Sequence, residues 1–305
     1  MFSASFKQFL TFVASTVATG QAIFGFGYVG IYVAITNLVS NTGVVSTNTY
    51  GAGGVRAYLA AAGYGTDKAI FGYGVDGVSV VSMTNLVSNT GVVSTDTTGV
   101  GTARSGLAAA GYGTDKAIFG YGYDGVSYVS MTNLVSNTGV VSTDTTGVGT
   151  ARGYLAAAGY GTDKAIFGYG NAFGYYSLTN LVSNTGVVAT DTTGVGTVRS
   201  GLAAAGYGTD KAIFGYGADA TFDYSLTNLV SNTGVVSTDT TGVGTVRSGL
   251  AAAGYGTDKA IFGYGGDYSL TNLYSLTNLV SNTGVVATDT TGVGQARSGL
   301  AAAGF

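Results

Sequence analysis

Cysteine, proline, histidine and tryptophan are absent from the 305 residues, and all 15 acidic residues are aspartate. Without thiol or imidazole the chain has no soft metal ligand, no thiol nucleophile and no imidazole base. Zinc sites and the usual catalytic triads are thereby excluded, and neither cofactor nor metal is expected. Charge is scarce as well: charged residues make up 9% of the chain and the net charge is −3. That balance argues against a phosphate-binding surface driven by Lys and Arg, so nucleic acid is not an expected partner.

What is abundant is glycine, at 53 positions, with 22 Tyr and 14 Phe, and these residues recur periodically. The stretch AAAGYGTDKAIFGYG (60–74) returns almost letter for letter at Ala108, Ala156, Ala203 and Ala251. AIFG begins at Ala22, Ala69, Ala117, Ala165, Ala212 and Ala260, in steps of 47 or 48 residues. From the Asn of each TNL motif (Asn37, Asn85, Asn133, Asn180 and Asn228) to the next AIFG is always 32 residues, whereas the return from AIFG to TNL varies from 15 to 18. All length variation falls in one loop per unit, as expected of stacked or ring-shaped repeats.

Within one unit, LAAAGYG (107–113) and KAIFGYG (116–122) read as two strands around a tight GTD turn. VSMTNLVSN (129–137) and GVVSTDT (139–145) read as two more, and no window has helical periodicity. Four antiparallel strands in about 48 residues fit the blade of a β-propeller. The expected fold is therefore all-β: a six-bladed propeller over residues 21–305, with the small LAAAG strand innermost. The register is permuted, so Leu300–Gly304 is expected to pair with Gln21–Gly27 and remove two bare sheet edges. A β-solenoid with a Thr-rich face that binds ice or another lattice is the alternative shape. Residues 1–20 read as an extra inner strand or anchoring arm, or as a weak secretion leader; their apolar stretch is too short to span a bilayer.

The order R-x-x-L-A-A-A-G-Y-G-x-D-K-A-I-F-G-Y-G, a loop, then T-N-L-V-S-N-T-G-V-V-S-T-D-T resembles the kelch repeat over about residues 21–305. The Gly pair is split by Tyr, and Val or Thr replaces the usual fourth-strand aromatic. The resemblance implies mostly interaction scaffolding, with occasional enzymes on the same frame. The STDTTG segments faintly resemble the Asp box of sialidase propellers, with one residue too many before Gly and no Trp. Every Arg repeats and no Glu exists, so a degenerate sialidase-like glycan-processing enzyme is the lesser reading.

Three sets of residues stand out. Arg56, Arg104, Arg152, Arg199, Arg247 and Arg297, with Asp96, Asp144, Asp191, Asp239 and Asp289, are expected to form carboxylate–guanidinium pairs that fix the register between blades. The Asp-Lys dipeptides at 67/68 and its copies are expected to be solvated turns. The variable loops hold Tyr32, Tyr123, Tyr128, Phe173, Tyr175, Tyr176, Phe222, Tyr224, Tyr268 and Tyr274, together with five Asp residues. Tyrosine offers a flat apolar face and a hydrogen-bonding tip, which suits glycan or protein surfaces. The same rings could equally serve only to pack against adjacent blades. The expected protein is thus a non-enzymatic adhesion or assembly module, displayed outside a cell or on a virion, that contacts glycan or protein through one face.

Overall fold

A computed structural model describes residues 20–305. The readings of the N-terminal segment as strand, arm or leader fall on residues outside the described ones, save Gly20.

The described chain is all-β, without helix, and divides into six small antiparallel sheets. In the first, β1 (Ala22–Tyr28), β2 (Tyr32–Val39) and β3 (Thr49–Tyr50) are joined by the C-terminal strand β19 (Ala301–Gly304), in the order β19-β1-β2-β3. The register runs from Ala22 opposite Gly304 to Gly25 opposite Ala301. Each remaining sheet has three strands. They are β4–β6 (Ala60–Tyr64, Lys68–Gly72, Thr84–Val87), β7–β9 (Ala108–Tyr112, Lys116–Gly120, Thr132–Val135) and β10–β12 (Ala156–Tyr160, Lys164–Gly168, Thr179–Val182). Next come β13–β15 (Ala203–Tyr207, Lys211–Gly215, Thr227–Val230) and β16–β18 (Ala251–Tyr255, Lys259–Gly263, Thr277–Val280).

The expected fourth strand, 139–145, is corrected to two isolated bridges, Val135 with Val141 and Thr132 with Thr145. Side chains intercept the ladder between them. Ser142 Oγ accepts the Leu134 N–H at 3.0 Å, and Asn133 Nδ2 donates to the Ser142 carbonyl at 3.0 Å. A backbone group already satisfied by a side chain has no need of a ladder partner. The third strand is also shorter than 129–137. The second stops at Gly120 and not at Gly122, because Tyr121 turns left-handed at φ +64°.

Successive sheets interlock through one large and one absent side chain. A Cβ on Gly168 would lie 2.7 Å from the Phe214 ring, so only glycine leaves room for the ring of the next sheet. The same socket recurs in the other sheets: Gly25 takes Phe71, Gly72 takes Phe119, Gly120 takes Phe167, Gly215 takes Phe262, and Gly263 takes Phe24 of the first sheet. Each Phe is fully buried, worth roughly 1.5–3 kcal/mol apiece. Alanines suit the first strands because these pack beside one another: β4 neighbours β7, then β10, β13, β16 and β19 follow, and β19 neighbours β4.

The turns that precede these strands are linked by backbone alone. Tyr58 N–H donates to Gly299 O, Gly299 to Gly249, Gly249 to Gly201, Gly201 to Tyr154, Tyr154 to Gly106, and Gly106 back to Tyr58. The six bonds, 2.6 to 2.8 Å long, form a closed cycle.

Candidate functional site

The arginines lie in the linkers between sheets and are fully buried. Arg199 shows how a cation is tolerated there. Its Nε donates to Tyr216 O at 2.8 Å, Nη1 to Thr197 O at 2.9 Å and Nη2 to Asn228 Oδ1 at 2.5 Å. The guanidinium lies 4.4 Å above the Tyr169 ring of the preceding sheet, and Asp239 Oδ1 is 3.6 Å from Nη1. Burial pulls the arginine's pKa down, opposed by the nearby Tyr169 and Asp239. Burial in turn pushes Asp239 up, but bonds from Asn228 and Thr197 and the Arg199 charge bring it below the usual carboxylate range.

The equivalent pairs are Arg56–Asp96 (2.9 Å), Arg104–Asp144 (3.4 Å), Arg152–Asp191 (3.8 Å) and Arg247–Asp289 (3.7 Å). In every pair the carboxylate belongs to the unit that follows the arginine in sequence. Arg297 instead donates to Asn37 Oδ1 and the Phe26 carbonyl of the first sheet, at 2.8 Å each. These groups hold neighbouring sheets together and leave no free guanidinium for a ligand.

The left-handed tyrosines under the arginines make a prediction. Tyr73, Tyr121, Tyr169 and Tyr216 are pushed up to about 12 by burial, against the pull of the adjacent arginine. Unfolded tyrosine titrates near about 10. A raised folded value means that stability is intact below about pH 10 and is lost progressively towards about pH 12. The share of the tyrosinate absorbance that belongs to these buried rings should therefore appear together with loss of the β-sheet circular dichroism in that interval.

The variable loops follow the second strand of each unit, so they lie at the end of the sheets where the first strands begin. Bridges such as Ala57–Val75 and Ser105–Tyr123 tie the two together. Three loop aromatics, Phe173, Phe222 and Tyr268, are exposed. Tyr32 packs edge-on to Tyr28 (5.4 Å between ring centres) and Tyr123 against Tyr128 (5.4 Å). Tyr175 is pushed up to about 12, first by burial, then by the neighbouring Tyr268 and Asp219. Tyr176, Tyr224 and Tyr274 are half-buried, in the vicinity of Arg152, Arg199 and Arg247. The Tyr224 hydroxyl donates to Asp219 Oδ2 at 2.7 Å. The loop aspartates are largely committed to local turns: Asp76 Oδ1 accepts from Val78 and Ser79 N–H, Asp124 does the same with Val126 and Ser127, and Asp219 with Thr221 and Phe222. Asp223 Oδ2 accepts the Tyr268 N–H from the next loop at 2.8 Å.

Two residues on this face escape the loop pattern altogether. Four units place Gly at the left-handed position of the backbone cycle: Gly106, Gly201, Gly249 and Gly299, at φ of about +60° (60° to 62°). The other two place Tyr58 (φ +54°) and Tyr154 (φ +51°) there. A bulky residue in this conformation costs on the order of 1–3 kcal/mol. The two rings meet edge-to-face at 5.8 Å and 83°. Tyr28 and Tyr32 are near Tyr58, and Tyr123 and Tyr128 are near Tyr154, so these rings gather into a tyrosine cluster. In sequence the signal is the change from RSGL to RAYL and RGYL.

The chain matches no protein-family model and none of the curated proteins. No helix among the described residues is long and apolar enough to cross a membrane.

Proposed function

We propose that the chain is a kelch-like six-bladed β-propeller acting as a non-enzymatic binding or assembly module, displayed outside a cell or on a virion. Its tyrosine-clustered face meets a glycan or protein surface. The closed backbone cycle and the β19–β1 pairing support the propeller reading, since a linear solenoid has no geometry in which a first unit bonds a last one. The observation that carries the binding reading is the pair Tyr58 and Tyr154, held in a conformation that four sister units reserve for glycine. Backbone strain that persists in only two of six equivalent places is the kind that function retains.

The test follows from the repeats themselves. The double variant Tyr58→Gly, Tyr154→Gly makes these turns like the other four. Its unfolding free energy should stay within about 1–2 kcal/mol of the parent, because relief of strain offsets lost ring packing. Binding to arrayed glycans and cell-surface proteins should fall at least about tenfold, equivalent to about 1.4 kcal/mol. Undiminished binding by the folded variant sinks the tyrosine-face reading, and turnover of glycoside substrates by the parent sinks the non-enzymatic one.

A further inference from the structure

At the opposite end of the first strands lies a cavity of about 500 Å³. The turns read above as solvated surface line it. Each of five units contributes a Tyr, a Thr and a Lys, and Gly20, Gln21, Gly304 and Phe305 complete the wall. All six arginines are fully buried, so Lys68, Lys116, Lys164, Lys211 and Lys259 are the exposed cations of the described residues, and all five lie on this one cavity. The low overall charge conceals this concentration.

Each lysine bonds the aspartate before it, at 2.5 to 2.9 Å. The second oxygen of that carboxylate is held by an asparagine from the turn after a third strand, as in Asn137 Nδ2 to Asp115 Oδ2 at 3.1 Å and Asn184 Nδ2 to Asp163 Oδ2 at 3.0 Å. The carboxylates are not among the groups lining the cavity, and each ammonium keeps two of its three N–H donors for another acceptor. The adjacent threonines of the same turns also line the cavity and add hydroxyls. Thr66, Thr114, Thr162, Thr209 and Thr257 all have φ between +68° and +81°. A β-branched residue there is a conformational outlier that Gly or Asn would avoid, yet the turn uses it in all five units. The wall thus offers repeated ammonium and hydroxyl donors, with no aspartate side chain among its lining groups.

We propose that this cavity binds a compact multivalent oxyanion, a small molecule bearing several phosphate or sulfate groups. One group alone would meet one or two lysines still partly neutralised by aspartate. Several groups on one small frame engage the ring together, with the gain of effective concentration that linkage brings. The site is separate from the tyrosine face and does not depend on it.

Titration calorimetry on the full chain tests this with three probes: inositol hexakisphosphate, a persulfated disaccharide and inorganic phosphate. The expected result is one polyanion bound per chain, at least about a hundredfold tighter than inorganic phosphate, with affinity falling as salt rises. The tighter of the two polyanions identifies phosphate or sulfate as the natural group. The variant Lys116→Gln, Lys211→Gln, whose side chains are half exposed, should keep its melting temperature and lose about tenfold or more in affinity. The variant Thr114→Gly, Thr209→Gly should melt higher, through relief of strain, and bind more weakly. No heat with either polyanion, or equal affinity in the folded lysine variant, overturns the proposal. Unchanged affinity in the threonine variant overturns the part assigned to the hydroxyls.

Discussion

Replacing Arg199 with alanine will cost the fold about 3–5 kcal/mol, a large share of the 5–15 kcal/mol typical of a domain. The loss has three sources. The carbonyls of Tyr216 and Thr197 and the side-chain oxygen of Asn228 lose their donors inside the protein, and Asp239 loses its compensating charge. The Tyr169 ring also loses the guanidinium stacked above it. Chemical denaturation followed by tyrosine fluorescence measures the change. Arg56→Ala should cost less, since the Nε of Arg56 has no partner to lose. A drop of under about 1 kcal/mol for Arg199→Ala would mean that the guanidinium is not the fastener between sheets that its bonds describe.

Removing Leu300–Phe305 should be at least as damaging. The deletion strips the partner from Ala22–Gly25 and leaves that edge of the first sheet unpaired. It also removes the strand between β16 and β4. Burial of Leu300 is worth roughly 2 kcal/mol, and the ladder bonds add about 1 kcal/mol each, so the deficit reaches about 5 kcal/mol. The exposed edge is in addition a template for association between chains. Thermal unfolding with light scattering should show a lower, broader transition and aggregation, and a synthetic peptide of sequence SGLAAAGF added in trans should restore part of the loss. A truncated chain that melts like the parent and stays monomeric would contradict the pairing.

Much of this architecture was legible in the residues because repetition makes the variation itself informative. The constant interval from TNL to AIFG marked the rigid frame, and the variable interval marked the loops. The incomplete first and last units marked the partnership of Leu300–Gly304 with Gln21–Gly27. Propensity misled where side chains compete with the backbone: GVVSTDT has the β-branched composition of a strand, but Ser142 and Asn133 take up its ladder groups. Conformation misled at the tyrosines. Nothing in the residue type announces that Tyr121 ends a strand at positive φ, or that Tyr58 and Tyr154 occupy a glycine's place. Only alignment of the six units against one another exposes the latter. The lysines looked like ordinary turn charges because a linear reading cannot see five turns converge on one cavity.

The phenylalanine and glycine that each sheet presents to its two neighbours have a consequence for the gene. Because every unit carries the same projection and the same recess, any copy fits beside any other. Unequal crossing-over between two copies, which adds or deletes one 47- or 48-residue period, creates no mismatched joint. Copy number is then limited by how many turns the cycle of backbone hydrogen bonds can accommodate, while side-chain recognition between copies stays indifferent to the count.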